Sequence, residues 1–235
     1  MIEIKFVLDF DGVLFNSAFE AYSVANRATE GKAGFRQDIA YEEFLAFRGT
    51  VTDAWQYNRL YSLTQAVQAN ALREIEPEEA DWAFAREFFD ARKKIMESPE
   101  WPKIMPPYDF FLLLKPLLLE KPDRFAILST RNVDSIKQTL DFHGANVVRV
   151  FGQEDIRRIG SKVAVAQEQT WLDRSKWLTV YVDDMNSHLE PFEGVIHLPL
   201  HADWGYDRGT PGSLSAYQIF GIISSLMSIT GQDSE

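Results

Sequence analysis

Short apolar runs that end at polar residues recur along the chain and predict β-strands. The runs are rich in β-branched and aromatic residues, and most of them are apolar throughout rather than alternating with polar residues. Strands of this kind are covered on both faces, which is typical of a parallel sheet between layers of helices. The pattern therefore predicts an α/β fold. The predicted strands are residues 4–8, 125–128, 147–151, 178–182 and 195–198.

A helical pattern follows the second predicted strand. Val133, Ile136 and Leu140 recur at intervals of three and four residues, which places them on one face of a helix. Asn132 is a favourable N-cap and Gly144 is a favourable residue at the end of the helix. This helix and the strands on either side of it form one predicted βαβ unit.

More than a hundred residues separate the first two predicted strands, far more than a crossover connection needs. Apolar residues at helical spacing predict several helices there and no strand. One predicted stripe consists of Leu60, Leu63 and Val67, and another of Trp82, Ala85, Phe89 and Met96. Four prolines between residues 98 and 107 mark the exit. We expect residues 17–105 to form an inserted α-helical domain, and residues 1–16 with 106–235 to form the sheet domain.

Composition excludes several functions. The net charge is −11, from 24 basic and 35 acidic residues, so the average field of the protein repels nucleic acid backbones. The absence of cysteine excludes disulfides, thiolate metal sites and a thiol nucleophile. The most apolar stretches, 110–114 and 117–119, are too short to span a membrane, and the N-terminus lacks the features of a signal peptide. We therefore expect a cytoplasmic protein with no nucleic acid or membrane partner.

Carboxylates follow two of the predicted strands. Asp9, Asp11 and Gly12 follow the first, and Asp183 and Asp184 follow the fourth. Carboxyl ends of neighbouring parallel strands form the ligand-binding edge of an open sheet, and Gly12 allows a turn that exposes backbone amides to a phosphate. Two like charges 4 Å apart repel by about 4 kcal/mol at an effective dielectric constant near 20, so the cluster calls for a cation or raised pKa values. Mg²⁺ suits such oxygen ligands, with Ca²⁺ as the alternative.

Two further segments place polar groups at the same predicted edge. Ser129 and Thr130 end the second strand and lead into a helix, so a hydroxyl and the helix N-terminus suit an anion, although capping of the helix alone is the alternative. Lys162 begins another predicted helix, where it is expected to meet a phosphate or to pair with Asp183.

Together these segments resemble the haloacid dehalogenase (HAD) superfamily, specifically its phosphatase-like members with a helical C1-type cap. Residues 9–14, Asp-x-Asp-Gly-Val-Leu, are similar to the first motif of that family. Ser129 resembles the second motif, Lys162 the third, and Asp183-Asp184 the fourth, in the family's order. The resemblance spans residues 4–184 and implies a Rossmann-like parallel sheet core with an inserted α-helical cap domain.

The resemblance also implies roles for these residues. Asp9 would attack the substrate phosphorus, and Asp11 would protonate the leaving oxygen and later activate water. Mg²⁺ would bind a carboxylate oxygen of Asp9, the backbone carbonyl of Asp11 and a carboxylate oxygen of Asp184. The other implied positions are Ser129 and Lys162 as catalytic groups, Gly12 and Thr130 as substrate-binding groups, and Asp183 as a partner of Lys162. Ser129 is preferred to Thr130 as the phosphate-binding hydroxyl because it lies directly at the strand end.

The implied activity is Mg²⁺-dependent hydrolysis of a small phosphorylated metabolite through an aspartyl-phosphate. A phosphomutase and a non-catalytic binding or regulatory protein are the alternatives. Arg48, in Arg48-Gly49-Thr50, resembles a basic loop that contacts substrate in phosphoglucomutase-like members, and we expect it to bind substrate. His188 departs from the pattern, because many relatives have an aspartate there, and this substitution is expected to tune metal binding.

Overall fold

Residues 3–229 are described in the computed structural model, and they include a sheet of five parallel strands. The strands lie in the order β3-β2-β1-β4-β5, so the chain builds one side of the sheet outward from β1 and then returns to build the other. The expected α/β fold with a parallel sheet is confirmed. The strands are β1 Glu3–Leu8, β2 Phe125–Leu128, β3 Arg149–Phe151, β4 Trp177–Asp183 and β5 Leu198–His201.

The central strand β1 pairs with β2 on one side and with β4 on the other. Leu8 lies opposite Ile127 of β2 and Val182 of β4, so these three strands end at nearly the same level. Phe6, Val7 and Leu8 are fully buried, as expected for a strand covered on both faces. The residues that follow β1, β2 and β4 therefore share one edge of the sheet.

The prediction for the fifth strand is wrong by three residues. Strand β5 begins at Leu198, whereas residues 195–198 were expected. The Val195 and Ile196 amides both donate to the Phe192 carbonyl, at 2.9 and 3.1 Å, and hold this segment in a turn around Gly194, whose φ is +76°. Pro199 is tolerated within β5 because β5 lies at the sheet edge, where a missing N–H removes no internal hydrogen bond.

Helices surround the sheet, and the segment inserted after β1 consists of helices, 3₁₀ turns and loops. Helix α6 confirms the prediction: the Asn132 side chain accepts a hydrogen bond from the Ser135 amide at 2.8 Å, and Gly144 has a φ of +63°. None of the helices in residues 3–229 is long and apolar enough to cross a lipid bilayer. The α-helices are α1 Ser17–Thr29, α2 Tyr41–Arg48, α3 Asn58–Tyr61, α4 Glu79–Met96, α5 Asp109–Glu120, α6 Val133–Phe142, α7 Gln153–Ile159, α8 Lys162–Glu168, α9 Asn186–Leu189 and α10 Ala216–Ile229. Short 3₁₀ turns occupy Ala54–Tyr57, Ala69–Glu74, Trp101–Ile104, Pro122–Arg124, Thr170–Leu172 and Glu190–Phe192.

The chain divides into two compact units. One contains residues 1–16 and 107–235 and holds the sheet, and the other is the helical segment 17–106. The helical unit has its own core of apolar side chains, in which Val24, Phe44 and Tyr61 are fully buried. Each unit therefore has the internal packing of a separate domain.

Helix α4 was predicted correctly, but of the predicted stripe it buries only Ala85. Trp82 and Phe89 of the predicted stripe are 42% and 52% exposed. Asp81 lies fully buried on the face that packs inward, because Arg59 pairs with its carboxylate. Because the buried face contains a charged residue, the spacing of apolar residues alone does not identify that face. The buried residues of the helix are Asp81, Phe84, Ala85, Phe88 and Ala91.

The stripe predicted at Leu60, Leu63 and Val67 is also wrong. Helix α3 ends at Tyr61, and Leu63 is 64% exposed. The Ser62 hydroxyl accepts hydrogen bonds from the backbone amides of residues 64 and 65, at 3.2 and 3.1 Å. Serine commonly ends a helix in this way, because its side chain offers the backbone an alternative to the helical hydrogen bonds.

Candidate active site

Three aspartates meet at the shared edge of β1 and β4. The Asp9 amide donates to the Val182 carbonyl at 2.9 Å, which extends the pairing of the two strands up to the carboxylates. Asp9, Asp183 and Asp184 are 3%, 0% and 1% exposed, and one carboxylate oxygen from each lies within 4.8 Å of the other two. The direction of chain growth reverses between these two strands, which is where open α/β sheets bind ligands.

Lys162 is the central cation of this cluster. It is the first residue of α8, and its Nζ lies 2.9 Å from Asp9 Oδ1 and 2.9 Å from Asp183 Oδ2. Nζ also donates to the Tyr181 hydroxyl at 3.2 Å, and that hydroxyl in turn donates to Asp183 Oδ2. The expected pairing of Lys162 with Asp183 is present, and Asp9 shares the same ammonium group.

The surroundings of the three carboxyl groups separate their pKa values. Burial raises the pKa of Asp9 to about 7, against the attraction of Lys162 and with the repulsion of Asp183 and Asp11. Burial, together with the charges of Asp183 and Asp9, raises the pKa of Asp184 well above its ordinary value. Burial also opposes ionisation of Asp183, but Lys162 and His188 overcome it and hold the pKa of Asp183 below its ordinary value. Asp183 is thus held in its charged form by protein donors, whereas Asp9 and Asp184 favour a bound proton unless a cation compensates for their charge.

Asp184 lies in a cradle formed by two glycines. A Cβ atom built on Gly12 would lie 2.1 Å from Asp184 Oδ2, and one built on Gly205 would lie 2.0 Å from the same oxygen. The Tyr206 amide donates to this oxygen at 2.6 Å. Only residues without side chains fit at the two positions, so the loop after β5 and the loop after β1 both approach this carboxylate by their backbones.

The carboxylates suit a divalent cation. None of the groups that the structure describes donates a hydrogen bond to Asp9 Oδ2 or Asp184 Oδ1, although both residues are buried. A buried carboxyl group with an incomplete set of donors is costly to ionise, and a hard cation with oxygen ligands would compensate for its charge. Asp183 differs, because Lys162, Tyr181 and the Met185 amide already donate to its oxygens. The residues present therefore fit a cation held by Asp9 and Asp184.

We expect Gly205→Ala to weaken cation binding. The added methyl group would overlap Asp184 Oδ2, so the carboxylate must move and lose its hydrogen bond from Tyr206. The rise in Tm on adding Mg²⁺, measured by calorimetry, should shrink or vanish in this variant. Gly221→Ala is the matched control, because nothing lies within 4 Å of its added Cβ. An unchanged Mg²⁺ response in Gly205→Ala would show that Asp184 does not bind the cation.

The two hydroxyl candidates occupy different environments. Ser129 is fully buried directly after β2, and its Oγ accepts a hydrogen bond from the Arg131 amide at 3.3 Å. No residue within 3–229 accepts the Ser129 hydroxyl proton, so that proton remains available to an anion. Thr130 is exposed. The difference in burial favours Ser129 as the phosphate-binding group.

Asp11 is paired with an arginine that the sequence analysis did not single out. Nε and Nη2 of Arg131 each lie 2.8 Å from Asp11 Oδ1. The Asp11 side chain is 19% exposed, and that of Arg131 is 6% exposed. Asp11 therefore stands at the rim of the site, above the buried carboxylates, with a permanently charged partner beside it.

Gly12 and His188 differ in part from expectation. The Gly12 amide donates to the Phe15 carbonyl at 3.0 Å, within the turn for which its φ of +88° is needed, so it does not face outward to a phosphate. His188 Nδ1 lies 3.2 Å from Asp183 Oδ1 and 3.4 Å from Lys162 Nζ. The histidine thus contacts the pair beneath the site rather than Asp184.

Arg48 belongs to the helical unit and is the last residue of α2, not part of a loop. Its Nη1 donates to the Val51 carbonyl at 3.2 Å. This bond ties the guanidinium to the turn that follows the helix. Substrate contact by Arg48 stays a prediction.

Several residues of the site carried weak sequence signals. Tyr181 and Asp183 are two positions apart on β4, and this spacing places both side chains on one face of the strand. Arg131 follows the end of β2, at the sheet edge where the carboxylates after β1 and β4 are predicted. A basic residue at that edge is a recognisable candidate for pairing with one of them. Gly205 and Tyr206 lie more than twenty residues beyond Asp184, in a loop without a recognisable sequence motif.

Comparisons with solved structures identify proteins of the same fold. A predicted phosphoglycolate phosphatase from Haemophilus somnus is 14% identical, with a TM-score of 0.66 over 94% of this chain and 98% of that one. A haloacid dehalogenase-like hydrolase from Streptococcus pneumoniae is 12% identical, with a TM-score of 0.55 over 94% of this chain and 98% of that one. A candidate β-phosphoglucomutase from Thermotoga maritima is 11% identical, with a TM-score of 0.59 over 94% and 99% of the two chains.

Comparisons of the sequence, by contrast, find no similar protein or family. No family model matches the chain, and no curated protein matches its sequence. At 11–14% identity the structural likeness concerns the fold, and it extends over nearly the whole length of each chain. The resemblance inferred from the motifs is confirmed at that level: the chain has the fold of haloacid dehalogenase-like proteins.

Proposed function

We propose that the protein is a Mg²⁺-dependent hydrolase of small phosphate monoesters that acts through an aspartyl-phosphate on Asp9. One observation carries the proposal. Lys162 Nζ lies 2.9 Å from both Asp9 and Asp183, and among the described residues no donor reaches the second oxygen of Asp9, Oδ2. A carboxylate that a buried lysine fixes through one oxygen, with its other oxygen open to a cation, suits a nucleophile.

In the proposed reaction Asp9 and Asp11 divide the work. An Asp9 oxygen forms a bond to phosphorus while the bond from phosphorus to the ester oxygen breaks, and Asp11 gives its proton to that leaving oxygen. Water then attacks the phosphorus, Asp11 accepts a proton from it, and the bond between Asp9 and phosphorus breaks. The products are inorganic phosphate, the alcohol and the original enzyme, so atoms and protons balance.

Phosphoryl transfer depends mainly on positioning and on compensation of charge. Lys162 would orient Asp9 and, together with the cation, favour its ionised form, and the Ser129 hydroxyl would donate to a phosphoryl oxygen. Asp9 and Asp184 would hold the cation, together with the backbone carbonyl of Asp11 that the resemblance implies. When bound, the cation would neutralise negative charge on the phosphoryl group.

The helical unit, residues 17–106, is proposed to act as the cap that selects the substrate. The motifs of the site lie in the other unit, so substrate choice is assigned to a segment without such motifs. The proposed cytoplasmic location agrees with a small phosphorylated metabolite as the substrate.

A panel of phosphate esters tests the proposal. Wild-type protein with Mg²⁺ should release inorganic phosphate steadily from at least one alkyl, sugar or aryl phosphate. Isomerisation of a sugar phosphate that depends on a bisphosphate, without release of phosphate, would instead identify a phosphomutase. No turnover of any ester, with no change in Tm on adding Mg²⁺, would contradict an enzymatic role.

The Mg²⁺ response should depend on pH. The folded-state pKa of Asp9 is about 7, above its value in an unfolded chain, so the metal-free protein loses stability as pH rises through that value. A cation competes with this proton, and we expect Mg²⁺ to raise Tm more at about pH 8 than at about pH 5.5. Asp184→Asn should remove most of the difference, whereas an equal response at both pH values would contradict cation binding at Asp9.

A further inference from the structure

Arg131 is held at both ends beside Asp11. Its backbone carbonyl accepts a hydrogen bond from the Gln153 amide at 2.9 Å, and its amide donates to Ser129 Oγ at 3.3 Å. At the other end, Nη1 donates to Ser135 Oγ at 3.2 Å, and Ser135 is 1% exposed within α6. The guanidinium is therefore anchored to the body of the fold rather than free to follow Asp11.

The aromatic ring of Phe10 supports the same guanidinium. The Arg131 Cζ lies 5.8 Å from the ring centroid, within the range of a cation–π contact. Phe10 is fully buried between Asp9 and Asp11. The nucleophile, the aromatic support and the proposed acid thus occupy consecutive positions, and Arg131 contacts the second and third of them.

Asp11 needs such an anchor more than Asp9 does. Asp9 is buried and bound by Lys162, whereas the Asp11 side chain is partly exposed at the rim of the site. A carboxyl group on a turn samples several rotamers unless a partner holds it. Proton transfer to a leaving oxygen requires the carboxyl within hydrogen-bond reach of that oxygen, so loss of the preferred rotamer would lower the rate.

We propose that Arg131 is a positioning residue, which holds the Asp11 carboxyl in the orientation from which it exchanges protons with the leaving oxygen and with water. This inference rests on the proposed function. It assigns Arg131 no contact with the substrate, because its Nε and Nη2 atoms are directed at Asp11 Oδ1. Replacement of Arg131 should therefore change the rate of proton-dependent steps and leave substrate affinity nearly unchanged.

The choice of ester distinguishes a role of Arg131 in proton transfer from a role in substrate binding. Nitrophenolate leaves without help from an acid, whereas an alkoxide needs a proton. Arg131→Met should lower kcat/KM at least about tenfold more for an alkyl phosphate that the wild type hydrolyses than for p-nitrophenyl phosphate. KM should change little for either ester. Arg131→Lys should recover part of the loss, because lysine restores the charge without the planar fork.

A double-mutant cycle tests whether Arg131 acts through Asp11. Asp11→Asn combined with Arg131→Met should be no slower than Asp11→Asn alone, since the positioned group is already gone. Arg158→Met is the matched control, because the Arg158 side chain is 60% exposed and pairs with Asp155 and Glu168, outside the candidate site. If Arg131→Met does not fold, Ser135→Ala removes the other anchor and should produce a smaller loss with the same dependence on the leaving group.

Two results would overturn the inference. Additive losses in the double mutant would show that Arg131 acts independently of Asp11, and a raised KM with unchanged kcat for both esters would assign it to substrate binding. A wild-type protein that hydrolyses none of the esters would refute the proposed function, and this inference with it. A wild type that is active, with losses that are additive, would refute the positioning role alone.

Discussion

Replacing Asp9 by asparagine is expected to abolish phosphate release while the protein stays folded. The amide has nearly the same shape as the carboxylate but cannot form the covalent bond to phosphorus. Removal of a nucleophile from an enzyme that forms a covalent intermediate costs on the order of 10³-fold or more in kcat. The rate of phosphate release from the best ester of the panel measures the loss, and circular dichroism reports the fold.

Asp141→Asn is the matched control for this substitution. It makes the same chemical change on the exposed surface of α6, in the same unit of the chain, and should leave the rate unchanged. Asp9→Asn protein that retains more than about a tenth of the wild-type rate would exclude Asp9 as the nucleophile, since residual catalysis from positioning alone is far smaller.

Replacing Lys162 by methionine is expected to lower both activity and stability. Lys162 Nζ is the ammonium partner of Asp9 and Asp183, and its side chain is 9% exposed. Removing one partner of a buried ion pair leaves uncompensated charge and costs about 3–5 kcal/mol in the free energy of unfolding. Urea denaturation of the metal-free protein measures this loss directly.

The pH dependence of that loss gives a second criterion. Without Lys162 the folded-state pKa of Asp9 rises further above its unfolded value, and that of Asp183 rises from its lowered value, so the stability of the variant relative to wild type is retained in acid and lost as pH rises. We therefore expect the gap from wild type to be wider at about pH 8 than at about pH 5. Lys176→Met, at a side chain 62% exposed, should change stability by less than about 0.5 kcal/mol. A Lys162→Met protein as stable as wild type above neutral pH would contradict the buried pairing.

The sheet could be predicted from the sequence because parallel strands carry an uninterrupted apolar signal. Residues 4–8 and 125–128 are apolar since both faces of β1 and β2 are covered, and their ends were located to within a residue. The signal fails for β5, where the apolar residues Val195 and Ile196 lie in a turn and the strand itself contains Pro199. The helical pattern of apolar residues fails in α4 for another reason, because Arg59 allows Asp81 to be buried on the inner face.

The candidate site could be predicted as far as its residues directly follow strands. Asp9, Ser129 and Asp183 lie next to strand ends, and strand order then brings them to one edge. Arg131, Gly205 and Tyr206 could not be placed in the same way. Their positions depend on the path of loops and on the rotamer of a long side chain, and neither leaves a periodic pattern in the sequence.

Chemical trapping of the phosphorylated enzyme tests the central claim most directly. An acid-quenched reaction with a turned-over ester is treated with borohydride, which reduces an aspartyl-phosphate to homoserine, and peptide mass spectrometry then locates the change. The proposed mechanism predicts homoserine at position 9, dependent on Mg²⁺ and absent from Asp9→Asn. Turnover without modification at position 9, or with phosphate found on a serine or histidine, would contradict it.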